Sequence, residues 1–251
     1  MNVLVCIKRV PDIGAKFDLT EDKRAIATKN LGFTISPHEE CAVEEAVRLV
    51  EAGGGSATVL TLGPDKAEEQ LRDSLARGVD RSVLLQVEDG EWDPGETARA
   101  IVDAVQSGQI AYDLFLFGNE AADTGDFQVG VRVAHALDLP CVTGVKALEI
   151  KDGRAVVKRE VDAGWEVYEV DLPAVITVKE GINLPRYPSL RGTMKAKKKP
   201  VDRAAPQRAG AQLQMQALRL PPEIKKEAEI LGEGAAAAPK VVELLKSLEV
   251  I

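Results

Sequence analysis

Residues 36–62 read SPHEECAVEEAVRLVEAGGGSATVLTL: a helix, its stop and a strand in immediate succession. Ser36 is a suitable N-cap, Pro37 fits the first turn, and Glu39 and Glu40 complement the positive end of the helix dipole. Ala42, Val43, Ala46, Val47 and Val50 recur at helical spacing, which gives the segment one apolar face. Gly53-Gly54-Gly55 ends it. Ser56–Leu62 then reads as a short, buried strand.

The same alternation extends on both sides. Asn2–Val10 is a compact apolar run closed by Lys8-Arg9-Val10-Pro11. Asp65–Arg77 reads as a helix stopping at Gly78, Arg81–Val87 as a strand and Gly95–Gln106 as a helix. Leu114–Phe117 is a strand running into Gly118, Phe127–Leu137 a helix, and Val142–Val145 a short strand. Such alternation predicts an α/β fold with a mainly parallel sheet, helices on both faces and right-handed crossovers. Ligands of such sheets bind beyond the carboxyl ends of the strands, near a topological switch point. The loops to watch are Lys8–Gly14, Gly63-Pro64-Asp65 and Gly118–Gln128.

Beyond Lys146 the period changes. Ala147–Ile150, Ala155–Val161, Trp165–Val170 and Val175–Val178 are short runs with partial period-two character. Asp152-Gly153 is a strong hairpin signal and Ala163-Gly164 a weaker one. We read this region as an antiparallel meander joined to the parallel core. Beyond Val201 periodicity fades, and about 205–238 reads as an extended arm, either mobile or laid across a partner. Pro239–Leu248 reads as a closing helix. The expected organisation is one α/β domain over 1–200, including the meander, with arm and helix over 201–251.

Composition narrows the function. The chain has 251 residues, net charge -8 and 45% apolar residues, enough to bury a core. The acidic balance argues against a nucleic-acid partner. Cys6, Cys41 and Cys141 are odd in number and far apart, which disfavours a disulfide framework; with only His38 and His135 beside them, a zinc site is not expected. Val3–Val10 is too short and too charged for a signal peptide, and no run is long enough to insert in a membrane. The expectation is a soluble protein of a reducing, cytoplasmic compartment.

Two segments carry functional signals. Residues 118–130 read GNEAADTGDFQVG between a strand and a helix, where glycines let amides approach phosphate and the helix start adds positive dipole. A plain Gly-rich turn has the same composition, and Asp123 and Asp126 repel phosphate unless paired or turned away. There is no Gly-x-Gly-x-x-Gly fingerprint, no Walker loop and no Gly-x-Ser-x-Gly elbow. His38, at a helix start, suits either general-base work or packing; His135, Trp92 and Trp165 read as packing residues. Residues 184–199 read LPRYPSLRGTMKAKKK. Here a Pro-broken loop tipped by Leu190 runs into Lys195, Lys197, Lys198 and Lys199, as in a docking element or a solvated linker. A stand-alone nucleotide-dependent enzyme on a similar fold is the competing class, without a catalytic cluster to support it.

Taken in order, several motifs resemble the small (beta) subunit of electron transfer flavoprotein over about residues 1–200. They are VLVCIKRV at 3–10, AVEEAVRL at 42–49, VKREVDAGWE at 157–166 leading into LPAVITV at 172–178, then PRYPSL and MKAKKK. The resemblance implies a Rossmann-like, adenine-nucleotide-binding fold and a heterodimer with a large (alpha) subunit that holds most of an FAD. It implies an electron carrier, not an enzyme, passing electrons from acyl-CoA and related dehydrogenases to a membrane quinone oxidoreductase or another acceptor. It implies an AMP pocket around Cys6, Ser36, Pro37, Leu62 and the loop of Gly118, Asn119, Glu120, Ala121, Asp123, Thr124, Gly125, Asp126, Phe127, Gln128 and Val129. His38 and Ile13 stand where aromatic residues of the family often approach the flavin. The family often has Asn-Gln-Thr where this chain has Phe127-Gln128-Val129, which shifts phosphate binding onto amides. Electron-bifurcating relatives hold a second FAD in place of AMP and often carry Asp-Gly-Asp-Thr-Ala-Gln-Val-Gly in this loop. This chain matches only Gln-Val-Gly, which favours AMP. Leu190, with Tyr187 beside it, resembles the family's anchor for partner dehydrogenases, and Lys195, Lys197 and Lys198 its electrostatic guides.

Overall fold

The computed structural model describes residues 1–12, 14–88, 90, 92–208, 210–222 and 230–251. In chain order the strands and helices are β1 (Asn2–Ile7), β2 (Val10–Pro11), β3 (Phe33–Thr34), α1 (Pro37–Gly53), β4 (Ser56–Gly63), α2 (Glu68–Arg77) and β5 (Arg81–Gln86). They continue with α3 (Pro94–Gln106), β6 (Leu114–Gly118), α4 (Val129–Ala136), β7 (Cys141–Lys151), β8 (Arg154–Val161) and β9 (Gly164–Asp171). The last are β10 (Ala174–Val178), α5 (Leu190–Ala196), β11 (Asp202–Ala204) and α6 (Ala238–Ser247).

The expected sheet forms. Among the described residues it has nine strands in the order β11-β5-β4-β1-β6-β10-β7-β8-β9, with β2 and β3 as a separate small antiparallel pair. Pairing is parallel from β11 through β7 and antiparallel from β7 to β9. Strand β1 shows why helices must cover both faces. Val3 and Val5 belong to the core shared with Val43 and Val47 of α1 and Leu71 of α2. Leu4 and Cys6 belong to the core shared with Ile101 and Val105 of α3 and Val133 of α4. A strand buried on both sides is apolar at every position, as VLVCI is. The capping chemistry read at Ser36 is present: its Oγ accepts from the Glu39 amide while the Glu39 carboxylate accepts from the Ser36 amide.

Three expectations are corrected. Val175–Val178 is not part of the meander but lies inside the parallel sheet, between β6 and β7 and parallel to both. All five residues of β10 are buried, so its apolar run reports burial on two faces rather than a hairpin edge. Val142–Val145 and Ala147–Ile150 are one strand, β7, whose first part pairs with β10 and whose second part pairs with β8 across a register shift between Val145 and Ala147. Residues 190–196 of the Pro-broken loop fold into α5, capped by Ser189, whose Oγ accepts from the Gly192 amide at 3.0 Å.

The segment after β11 returns along its own chain. The Gln212 and Leu213 amides donate to Asp93 Oδ2 at the start of α3, at 2.7 and 3.0 Å, and the Leu218 amide donates to the Lys23 carbonyl. Part of the expected arm, 223–229, lies outside the described residues. The closing helix exists as α6 and buries none of its residues. Among the described residues no helix is long and apolar enough to cross a membrane.

Candidate functional site

Strand β1 leads through α1 to β4 on one side, while β6 pairs with β1 on the other. This reversal makes the carboxyl ends of β1 and β6 the switch point. A cavity of about 340 Å³ opens there. Lys8 and Arg9 after β1, Gly63 at the end of β4 with Pro64 after it, and the residues after β6 all line it, so the three loops singled out by topology meet around one space. A fourth wall, with Val87, Gly90, Trp92, Pro94 and Thr97, comes from the β5–α3 connection. Sequence reading missed that wall; Trp92, read as a packing residue, does pack against the core of Leu60 and Ile101 and also lines the cavity. Its position depends on how α3 settles against β4 and β5, which no local pattern states.

Of the residues implied by resemblance, Cys6, Leu62, Gly118, Asn119, Glu120, Ala121, Asp123, Thr124, Asp126, Phe127, Gln128 and Val129 line this cavity. Gly125 lies in the same turn with φ +66°, a backbone conformation suited to glycine. Ser36, Pro37 and His38 do not line it; they stand behind the β6 end, at the start of α1. Ile13 lies outside the described residues.

The first turn of α4 presents amides that lack carbonyl partners in their own helix, and α4 begins at Val129, two residues later than its sequence suggests. The repulsion expected from Asp123 is answered by Lys8, whose Nζ lies 2.8 Å from Asp123 Oδ1, and by the Thr124 amide at 2.9 Å. Asp126 accepts from Thr124 Oγ1. Gln128 Oε1 accepts from Arg132 Nε and Nη2 at 3.1 and 2.9 Å, which leaves its amide nitrogen as the donor group. Deeper in, the Gly144 amide donates to Thr177 Oγ1, which donates to Asn119 Oδ1 at 2.8 Å, fixing Asn119 with its amino group free to donate. Apolar surface comes from Leu60, Leu62, Ile101 and Phe117. An apolar cleft edged by amides, amide side chains and a lysine suits a ligand with a flat ring at one end and an anion at the other.

Two groups behind the cavity tie it to α1. His38 Nδ1 accepts from the Glu180 amide at 2.8 Å, so its ring proton sits on Nε2, 3.2 Å from Glu120 Oε1. That pairing uses both ring nitrogens to hold the loop, a positioning role. Glu39 is buried and accepts from the Lys8 and Ser36 amides. Burial pushes its carboxyl up to about 8, against those two donors and Lys8, which favour the ionised form. Burial likewise drives the Cys6 thiol upward, so Cys6 stays a packing thiol. Because Glu39 holds its proton more tightly folded than unfolded, folding stability should fall as pH rises from its ordinary 4.5 toward about 8, then level off. Glu39→Gln should lose that slope. Denaturant midpoints from pH 5 to 9 test this; parallel curves for both proteins would refute it.

Comparison with known proteins gives the family. Residues 24–209 match the electron transfer flavoprotein domain family. Among similar proteins is the electron transfer flavoprotein subunit beta of Syntrophomonas wolfei, 40% identical over 248 residues, covering 98% of this chain and 96% of that one. The Bacillus subtilis subunit beta is 38% identical over 256 residues, covering 98% of each. The human subunit beta is 34% identical over 217 residues, covering 85% and 84%. The chain belongs to the electron transfer flavoprotein family as a beta subunit, an electron-transfer component and not an enzyme.

Proposed function

We propose that this chain is the small subunit of a heterodimeric, FAD-containing electron carrier that holds one AMP in the switch-point cavity. The observation that carries the nucleotide reading is the convergence of three strand-end loops on a cleft with an apolar wall and amide-rich lip. At about 340 Å³ the cleft is near the lower end of the ~300–1,000 Å³ typical of ligand pockets, which suits a mononucleotide better than a dinucleotide. Amides of the Gly118–Val129 loop and Lys8 would hold the phosphate, and Leu60, Leu62 and Ile101 would cover the base. AMP supplies no chemistry here; it fills and stiffens the junction of four loops. FAD, when bound, supplies the redox chemistry and is held mainly by the large (alpha) subunit, with His38 of this chain near it.

The exposed apolar residues Val241, Val242 and Leu244 of α6 support a large-subunit contact at that helix, since an uncovered amphipathic helix is costly to solvate. Electrons would arrive from acyl-CoA and related dehydrogenases that dock at Leu190 and Tyr187, and leave to a membrane quinone oxidoreductase or another acceptor. The setting is cytoplasmic.

Denaturing the purified heterodimer and separating the released nucleotides tests the assignment. One AMP and one FAD per complex are expected. Two FAD and no AMP would mean that the cavity holds a second flavin, as in bifurcating relatives. Isolated folded chain free of any nucleotide would overturn the pocket reading.

A further inference from the structure

We propose that Arg186 is a positioning residue that clamps the docking segment to α1 and so presents Leu190 in one fixed pose. This rests on the docking reading just given. The exposed apolar residues Leu184, Tyr187 and Leu190 are 90, 95 and 81% exposed, yet the backbone between and beside them is tied down. Arg186 makes two forked contacts. Its Nε and Nη2 donate to Glu44 Oε2 and Oε1 at 2.8 and 3.0 Å, and its Nη1 and Nη2 donate to Glu51 Oε1 and Oε2 at 2.7 and 2.9 Å. Its own amide also donates to Glu44 Oε2 at 3.1 Å. Glu44 and Glu51 lie about two turns apart on one face of α1, so a single guanidinium spans them. Three residues earlier, Asn183 Nδ2 donates to the Cys41 carbonyl at 3.0 Å and to Glu45 Oε2 at 2.8 Å, on the same helix.

The other end of the segment is held independently. Gly192 of α5 lies so close to α2 that a Cβ there would fall 2.3 Å from the Ala76 carbonyl oxygen. Arg72 Nη1 donates to the Ala196 carbonyl at 2.7 Å, and Lys199 Nζ donates to the Val79 carbonyl at 2.7 Å. Between the Arg186 and Gly192 anchors the chain has little freedom except at the side chains it exposes. Ordering such a segment in advance removes an entropic cost from docking. Glu44 is buried while Glu51 is largely exposed. The inner fork therefore carries the fixed pose and the outer one reinforces it. A lysine keeps the charge but not the double fork.

The test uses the flavin-loaded heterodimer and a purified acyl-CoA dehydrogenase reduced by its substrate. Arg186→Ala should raise the KM for the carrier about tenfold, as expected for loss of preorganisation, with kcat and FAD content unchanged. Arg186→Lys should fall between. Glu51→Gln, at the exposed end, guards against misfolding of the first variant and should raise KM by a smaller factor in the same direction. Leu190→Ala and the Arg186→Ala/Leu190→Ala double variant complete a cycle. If Arg186 acts through the tip, the double variant should be little worse than Leu190→Ala alone. Fully multiplicative effects, or an unchanged KM in Arg186→Ala beside a slow Leu190→Ala, would overturn the clamp and leave the docking reading standing. An unaffected Leu190→Ala would overturn both.

Discussion

Gly118→Val should leave the complex with little or no AMP and should lower its unfolding midpoint. A Cβ at Gly118 would lie 2.7 Å from Glu39 Cγ and 3.3 Å from both the Glu39 amide nitrogen and His38 Cβ. Neither neighbour can withdraw: Glu39 is held by the Lys8 and Ser36 amides, and His38 by the Glu180 amide and Glu120. The branched side chain must therefore push the end of β6 away from α1. Overpacking of this kind costs about 1–3 kcal/mol. The displaced element leads into the loop proposed to hold the phosphate, so affinity falls as well, and loss of a bound ligand lowers the apparent stability further. Gly118→Ala should show a smaller loss. Gly53→Ala is the control: its Cβ meets nothing within 4 Å and its backbone is helical. Nucleotide released per complex, read beside the thermal midpoint, decides the matter. A Gly118→Val protein with its full AMP complement would remove this loop from the binding site.

These features were legible in the sequence to different depths. The run from Ser36 to Leu62 declares itself because its signals are local: a cap, an amphipathic period, a glycine stop and an apolar strand. The switch-point loops follow from topology alone, and they do meet around one cavity. What the sequence did not state is long-range. The position of β10 between β6 and β7 is set by long-range pairing, and a five-residue apolar run carries no record of its neighbours. Asp123 looked hostile to phosphate because its partner Lys8 is 115 residues away. Arg186 was not singled out, because its partner Glu44 is 142 residues away. Helix α5 was hidden by Gly192, a poor helix former that close packing against Ala76 requires.

Leu190→Ala should slow reduction of the carrier by dehydrogenases about thirtyfold. Leu190 is the first residue of α5 and 81% exposed, with the helix behind it seated on α2. A leucine presented this way in the free protein and buried in a partner pocket is worth about 2 kcal/mol or more, which is roughly thirtyfold at ~1.4 kcal/mol per decade. AMP content should be untouched, since neither Leu190 nor its helix lines the switch-point cavity, and so should the flavin spectrum and FAD content, since the flavin is proposed to sit mainly in the large subunit. Replacing Lys195 and Lys198 with Gln should behave otherwise. Both are exposed, whereas Lys199 is engaged with the Val79 carbonyl and belongs to the scaffold. Exposed rim charges act mainly on the association rate and its salt dependence. The double Gln variant should therefore be slow at low ionic strength and nearly normal at high, while Leu190→Ala should be slow at both, because apolar burial is not screened. Stopped-flow reduction across a salt series separates the two. A Leu190→Ala defect that vanished with added salt would mean that the residue only shapes a charged surface, and the anchor would have to be sought at Tyr187.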